Sequence, residues 1–241
     1  MLAAVSQITE ALLAAQTPEL ASRAYFGALK SYGATYLQTR HYQRPAATLT
    51  SESHFAAGGV IARIAPTTWP GSPGFNYICF DQNPLIGAIR EGRTRYRFSD
   101  FAPRNDAKFG TYWEALSEAG IGDAVCATSY GADRMIASLH LGFSAPAFSP
   151  GEAEAIEMSG LILTEKIMSL GTALAASTIQ LTARERDCLA YVAEGKSDWE
   201  ISVILSISQA TVRFHVDNAR TKLDAVNRTQ AVARFINLRM M

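Results

Sequence analysis

The stretch from Leu181 to Met241 constrains this chain more than anything that precedes it. Thr182 is followed three residues later by Glu185, and Ser197 by Glu200. Each pair is a capping box, in which hydroxyl and carboxylate satisfy backbone N–H groups at a helix start. Gly195 ends the first helix, whose apolar face carries Leu189, Val192 and Ala193. The second helix carries Ile201, Ile204 and Leu205. Ser206–Ser208 is a tight turn, and Ser208 caps a third helix over 209–223 with Val212, Val216 and Leu223 facing inward. A fourth runs from Thr229 to Leu238. The pattern predicts an all-α, four-helix domain with a helix-turn-helix at its centre.

The second helix of such a pair is the one that enters a DNA major groove, with its first residues at the base edges. Arg213, Asp217 and Arg220 share one side of it, spaced three and four apart. Thr211 and Lys222 suit phosphate oxygens, and Arg213 suits a bidentate contact to guanine. Charge agrees. The chain holds 22 Lys+Arg and 22 Asp+Glu, yet from Ala210 onward Arg213, Arg220, Lys222, Arg228, Arg234 and Arg239 face only Asp217 and Asp224, a footprint suited to phosphate. A small helical bundle with a solvated basic face accounts for the same residues, so on these features both readings stand.

The segment is similar to the carboxy-terminal domain of LuxR-family regulators over nearly its whole length. The stretches that carry the resemblance are LTARERDCL, VAEGKSDWEIS, TVRFHV, Lys222–Leu223 and NRTQAVA. Glu185, Leu189 and Gly195 occupy the family's three most characteristic positions. Asp217 departs from it, because a basic residue commonly stands there. An acid repels phosphate but can accept from cytosine N4.

Upstream, 2–31 reads as one or two helices, 34–42 and 58–66 as strands, and 70–77 as a turn-rich loop. Residues 83–92 read as a helix capped by Asn83, 95–101 as a short strand, and 109–120 as a helix. Two apolar runs, 123–129 and 134–143, flank a glycine-containing turn and predict a hairpin. Ser149, Pro150 and Glu152 open a long helix over 149–170, and 171–180 lacks a period and reads as a linker. The order predicts an α+β domain over 1–170, an antiparallel sheet between helix layers, followed by the DNA-binding module at 181–241. A phosphoacceptor receiver would need alternating parallel βα units, and a nucleotide module a glycine-rich phosphate loop; neither pattern is present. That leaves an α+β sensor of a small ligand.

Quorum-sensing regulators of the LuxR type carry an α/β/α autoinducer-binding domain before this kind of helix-turn-helix, and length and element order match. The resemblance implies a homodimer on a two-fold symmetric DNA site, taking an acyl-homoserine lactone or a related small amphipathic signal. Trp69 stands where the family has a Trp that donates to the lactone carbonyl, and Asn83-Pro84 where it has Asp-Pro. Phe98 stands where a second Trp packs on the lactone, and Ser138 where a Ser or Thr meets the amide carbonyl. Phe75 and Tyr77 are candidates for the family's Tyr. Asn83 loses the charge of the family's Asp and Phe98 loses an indole donor, so a ligand-independent regulator, or one acting with another LuxR-type chain, is the alternative. Taken singly, Trp69, Asn83 and Ser138 also fit a loop aromatic, a helix cap and a plain strand residue.

Dimerisation is expected on the long helix through Ile156, Leu161, Ile162, Leu163 and Ile167. Cys79, Cys126 and Cys188 are odd in number, with no C-x-x-C pair, so neither a disulfide framework nor a metal site is expected. Cys126, His140 and Asp133 lie near one hairpin, but a cysteine in an alternating strand is more often core than nucleophile, and no enzyme is expected. No organic cofactor, membrane span or signal peptide is indicated, and a cytoplasmic location is expected.

Overall fold

Residues Leu2–Ala14 and Pro18–Leu29 form α1 and α2. They are separate helices because Thr17 caps the second and Pro18 supplies its first position. The chain turns at Gly33 into β1 (Ala34–Gln43), passes through α3 (Ser51–Ala56) under a Thr50–Ser53 cap, and returns as β2 (Val60–Ile64). In this computed structural model residues 2–46, 48–145 and 148–238 are described.

The expected loop at 70–77 is instead helical. Ser72 caps α4 (Pro73–Asn76), which continues into a π-helical turn over Tyr77–Asp81. The Ser-Pro pair that looked like punctuation is a helix start. Next come α5 (Ile86–Arg90), β3 (Arg95–Arg97) and α6 (Phe98–Phe101). The expected strand at 95–101 therefore stops after three residues, where Asp100 accepts from the Arg97 N–H and starts a helical turn. After α7 (Gly110–Ser117), β4 (Asp123–Tyr130) and β5 (Met135–Phe143) make the predicted hairpin.

The long helix α8 spans Pro150–Thr178, entered through the Ser149–Glu152 pair. It does not stop at 170 as the linker reading requires. Its alanine-rich continuation has high helix propensity and no proline to end it. The residues assigned to dimerisation are mostly spent inside their own unit: Ile156, Leu163 and Ile167 are buried and Leu161 packs beside them, leaving Ile162 on the surface.

Within the described residues the strands form one antiparallel sheet in the order β2-β1-β5-β4-β3. Alternation splits it into two faces. Leu37, Val125, Ala127, Leu139 and Leu141 pack on Leu12, Tyr25, Leu29, Leu163 and Ile167 from α1, α2 and α8. Gly160 permits that closeness, since a Cβ there would sit 3.1 Å from Ala127 and Leu139. The other face meets Trp69, Phe75, Leu85, Phe98, Tyr112 and Trp113. This is the expected α/β/α sandwich.

The chain divides into Met1–Leu170 and Gly171–Met241. The second unit holds α9 (Ala183–Ala193), α10 (Asp198–Leu205), α11 (Gln209–Lys222) and α12 (Arg228–Asn237) around Leu189, Ile201, Val212, Val216, Leu223 and Phe235. Among the described residues no helix is long and apolar enough to cross a membrane.

Candidate functional site

The helix-turn-helix is α10, a turn, and α11. Ser206 takes the left-handed conformation (φ 53°) at the end of α10, and Ser208 accepts from the Thr211 N–H to open α11. Gln209, Ala210, Arg213, Phe214, Asp217 and Thr221 are exposed along α11, while Val212, Val216 and Ala219 hold its inner face. Arg213 is anchored at Nε by Asp198 Oδ2 (3.0 Å), and its side chain is 69% exposed, so the terminal amino groups remain presented outward. Arg228 binds the other oxygen of the same carboxylate, fixing Asp198 between two helices. Burial opposes ionisation of Asp198, but Arg228 and Arg213 outweigh it and hold the carboxyl below its usual range.

The five residues assigned to DNA divide into two sets. Thr211, Arg213 and Asp217 lie along the outer side of α11. Arg220 braces the end of the helix, bonding Asp217 and donating to the Ala225 carbonyl. Lys222 pairs with Glu185 at 2.8 Å, and Glu185 is buried at the start of α9 while also capping Thr182. This couples the first and third helices of the unit. Sequence spacing places Arg220 and Lys222 near the right face but does not reveal these internal partners.

In the first unit the assigned residues gather on one side of the sheet. Trp69, Phe75 and Phe98 share one buried cluster, with Tyr77 packed against it. Trp69 and Phe75 meet edge to face at 5.8 Å, and Phe98 meets the His140 ring at 5.3 Å. Ser138 lies two residues from His140 on β5, opposite Arg40 and Thr128, with no hydrogen bond to its hydroxyl. Asn83 sits beside the cluster member Leu85. Its side-chain oxygen accepts from the Leu85 N–H and closes a turn ahead of α5; the expected helix over 83–92 capped by Asn83 is shorter, starting at Ile86 with Leu85 at its cap position.

The same face holds polar groups that sequence reasoning missed. Tyr36, Gln38, Arg40 and Tyr42 alternate along β1, and Arg63 on β2 pairs with Gln38. Arg40 is buried. It donates to the Gly58 and His54 carbonyls, contacts His54 Nε2 at 2.7 Å, and lies 4.2 Å from the centre of the Tyr42 ring. Burial, then Arg40, pushes the His54 pKa down to about 3 and that of His140 to about 4, so both imidazoles are neutral near pH 7. The Tyr112 hydroxyl is fully buried without a partner. The period-two polar run in β1 was the available signal.

Cys126 and His140 are cross-strand neighbours, but burial pushes the Cys126 thiol well above its usual pKa, the opposite of nucleophile activation. Asp133 lies in the turn at the far end of that hairpin. Among the described residues no group of three or more His, Cys, Asp or Glu is placed to hold a metal ion.

Residues 179–235 match the family model of bacterial regulatory proteins, luxR family. The carboxy-terminal domain belongs to the luxR family. Relatives of this LuxR-type domain include the HTH-type quorum sensing-dependent transcriptional regulator RpaR of Rhodopseudomonas palustris, 40% identical over 93 residues, or 39% of this chain and 38% of that one. The transcriptional activator protein LuxR of Aliivibrio fischeri is 43% identical over 74 residues, 31% and 30% of the two chains. The chain thus spans well under half the length of these relatives. Similarity of fold runs further. Escherichia coli SdiA shares 20% identity with a TM-score of 0.63, over 99% of this chain and 98% of that one. CepR2 of Burkholderia cenocepacia shares 17% with a TM-score of 0.50, over 72% of this chain and 97% of that one. At these identities the likeness is one of fold.

Proposed function

We propose that this chain is a DNA-binding transcriptional regulator whose amino-terminal domain takes a small amphipathic signal. The observation that carries the reading is the LuxR-type domain at 179–235 with Arg213 held outward by Asp198. SdiA has been crystallised with octanoyl-rac-glycerol, and CepR2 is described as N-acylhomoserine lactone dependent. Extending that kind of ligand to this chain assigns the aromatic face of the sheet as the pocket. Trp69, Phe75, Tyr77 and Phe98 supply apolar walls, and Asn83 and Ser138 supply polar ends. Thr211, Arg213 and Asp217 meet the DNA. Arg220 and Lys222 position α11 from behind and touch phosphate only from its last turn. The protein acts as a homodimer in the cytoplasm on a two-fold symmetric site, without a metal, an organic cofactor or catalysis.

Selection of bound fragments from random duplex DNA, followed by anisotropy titration, tests the DNA half. Arg213→Ala is expected to cost about 1–3 kcal/mol on the selected site and little on unrelated DNA. Equal losses on both would make Arg213 a phosphate contact, and no selected sequence at all would remove the DNA reading. Melting with and without acyl-homoserine lactones of graded chain length tests the other half, because a ligand bound only by the folded state raises the midpoint. The Asn83 oxygen, uncharged and already accepting from Leu85, favours a second reading, a regulator needing no lactone. A dimer that binds its site without any small molecule would select it.

A further inference from the structure

Among the described residues, the face of the sheet assigned to the signal carries two arginines, Arg40 and Arg63, with no acid paired to either. Arg40, buried on β1, has three hydrogen-bond partners, all of them neutral: two carbonyls and the His54 ring. Arg63, half-buried on β2, uses Nε to bind Gln38 Oε1 at 2.9 Å, with its guanidinium carbon 5.2 Å from the centre of the Phe75 ring. Gln38 Oε1 also accepts from the Tyr36 hydroxyl, so its acceptor capacity is committed. Neither arginine forms an ion pair among the described residues, whereas Arg95 and Arg97 at the opposite edge of the sheet both reach Glu157. Both guanidiniums act on the same two neighbours, Tyr36 and Cys79, and repel one another across them.

Placing a guanidinium away from water without a counter-ion is costly, and hydrogen bonds to neutral acceptors offset only part of that cost. A folded protein holds such a charge where something else completes it. The Arg63 fork is built for that role. Its Nε anchor and the aromatic ring beside it fix the plane, and both terminal amino groups remain without a protein partner. A planar fork of this kind matches a carboxylate through two parallel hydrogen bonds. The ring it lies against is Phe75, which touches Trp69, so the fork opens beside the apolar wall already assigned to the signal's hydrophobic part. The buried Tyr112 hydroxyl, also without a partner, is an additional donor on this face.

Resting on the sensor reading above, we propose that the signal this domain accepts is an anionic amphiphile, whose carboxylate pairs with Arg63 in the positive field of Arg40 and whose hydrocarbon lies along Phe75 and Trp69. A neutral lactone leaves both cations unmatched.

The test uses matched pairs on the full-length chain: N-acyl-homoserine lactones and their ring-opened N-acyl-homoserines, the same acyl chains with one carboxylate, across a range of chain lengths. Calorimetric titration is expected to give at least tenfold tighter binding of the carboxylate at the best length, a preference that narrows as salt rises. Arg63→Gln removes the preference while leaving the lactone affinity within about twofold, and Arg63→Lys, which keeps charge but not the fork, retains part of it. Lactone binding equal to or tighter than carboxylate at every length overturns the proposal and leaves the sensor reading intact. Equal loss of both ligands in Arg63→Gln also overturns it, by making the residue structural. Absence of binding by either series at every length overturns the sensor reading and this inference with it.

Discussion

The two faces of the five-stranded sheet differ in how fully their polar groups are matched. On the face under α1, α2 and α8, most of the polar groups named here are matched, His41 Nε2 on β1 being buried without a partner. Ser22 bonds Thr39 at 2.8 Å, Ser129 bonds Thr164 at 2.8 Å, and Tyr25 bonds both Ser159 and the Ile156 carbonyl. On the face under α3 to α7, two arginines lack anions among the described residues, two histidines are held neutral, and the Tyr112 hydroxyl has no partner. A structural core is under pressure to satisfy every buried polar atom. A face that leaves several unsatisfied is arranged for something beyond folding. The first face closes the domain, and the second is kept incomplete.

The largest difference is expected from truncation. Leu163→Ala on the closed face removes a fully buried side chain from a tightly packed layer, and a loss of about 2–5 kcal/mol is expected in urea unfolding. Ser138→Ala on the open face removes a hydroxyl that holds no hydrogen bond, and stability is expected to change by less than about 0.5 kcal/mol. Its effect belongs to ligand affinity instead. A loss above about 2 kcal/mol for Ser138→Ala without ligand would mean that the open face is ordinary core.

Acid separates the faces next. His54 and His140 have pKa values near 3 and 4 in the folded protein, below the unfolded value of about 6.5. The unfolded chain therefore binds protons first. The stability that these neutral rings contribute is complete above about pH 6.5 and is lost as pH falls toward 4 and then 3. Each histidine costs at most about 1.4 kcal/mol per pH unit in that window, less for His140, which is only partly shielded from water. Unfolding followed by the Trp69 and Trp113 fluorescence in a Trp199→Phe background is expected to show a drop of about 1–3 kcal/mol between pH 7 and pH 5. Replacing both histidines by Gln should remove most of the slope and leave the part due to His41, whose pKa burial also lowers, while Leu163→Ala should lower the profile without changing its shape. An unchanged profile in the double variant would remove the open face as the source.

How far each region could be read from sequence follows the range of its interactions. The caps Thr182–Glu185 and Ser197–Glu200 are three residues apart, so the second unit's helix boundaries were visible to within a residue or two. The internal partners of Arg220 and Lys222, Ala225 and Glu185, were not legible because they are settled by how the helices pack. In the first unit the sandwich was legible from element order, and Trp69, Phe75 and Phe98 do meet. The helical turns at 73–81 were hidden by Pro and Gly that also signal loops. The cationic face was hidden more deeply. Arg40 lies beside Ser138, and Gln38 beside His140, only through strand register between residues about a hundred positions apart, and no local spacing encodes that pairing.

The smallest effect tests the comparison most directly, because it makes the same chemical change on both faces. Tyr25→Phe and Tyr112→Phe each delete one fully buried phenolic hydroxyl and leave the ring in place. Tyr25 loses bonds to Ser159 and to the Ile156 carbonyl, which then lack that partner, and a cost of about 1 kcal/mol is expected. Tyr112 loses nothing already made and is relieved of burying an unbonded donor, so Tyr112→Phe is expected to be neutral or stabilising by about 1 kcal/mol without ligand. Urea unfolding of the two variants side by side is sufficient. Opposite signs, or a clear gap in the stated order, support two faces built to different ends. Equal losses would show that Tyr112 has a hydrogen-bond partner in solution and that both faces are finished cores. Adding ligand should then reverse the order for Tyr112 alone: the variant that was no less stable when empty gains less from the signal, because the hydroxyl reserved for it is gone.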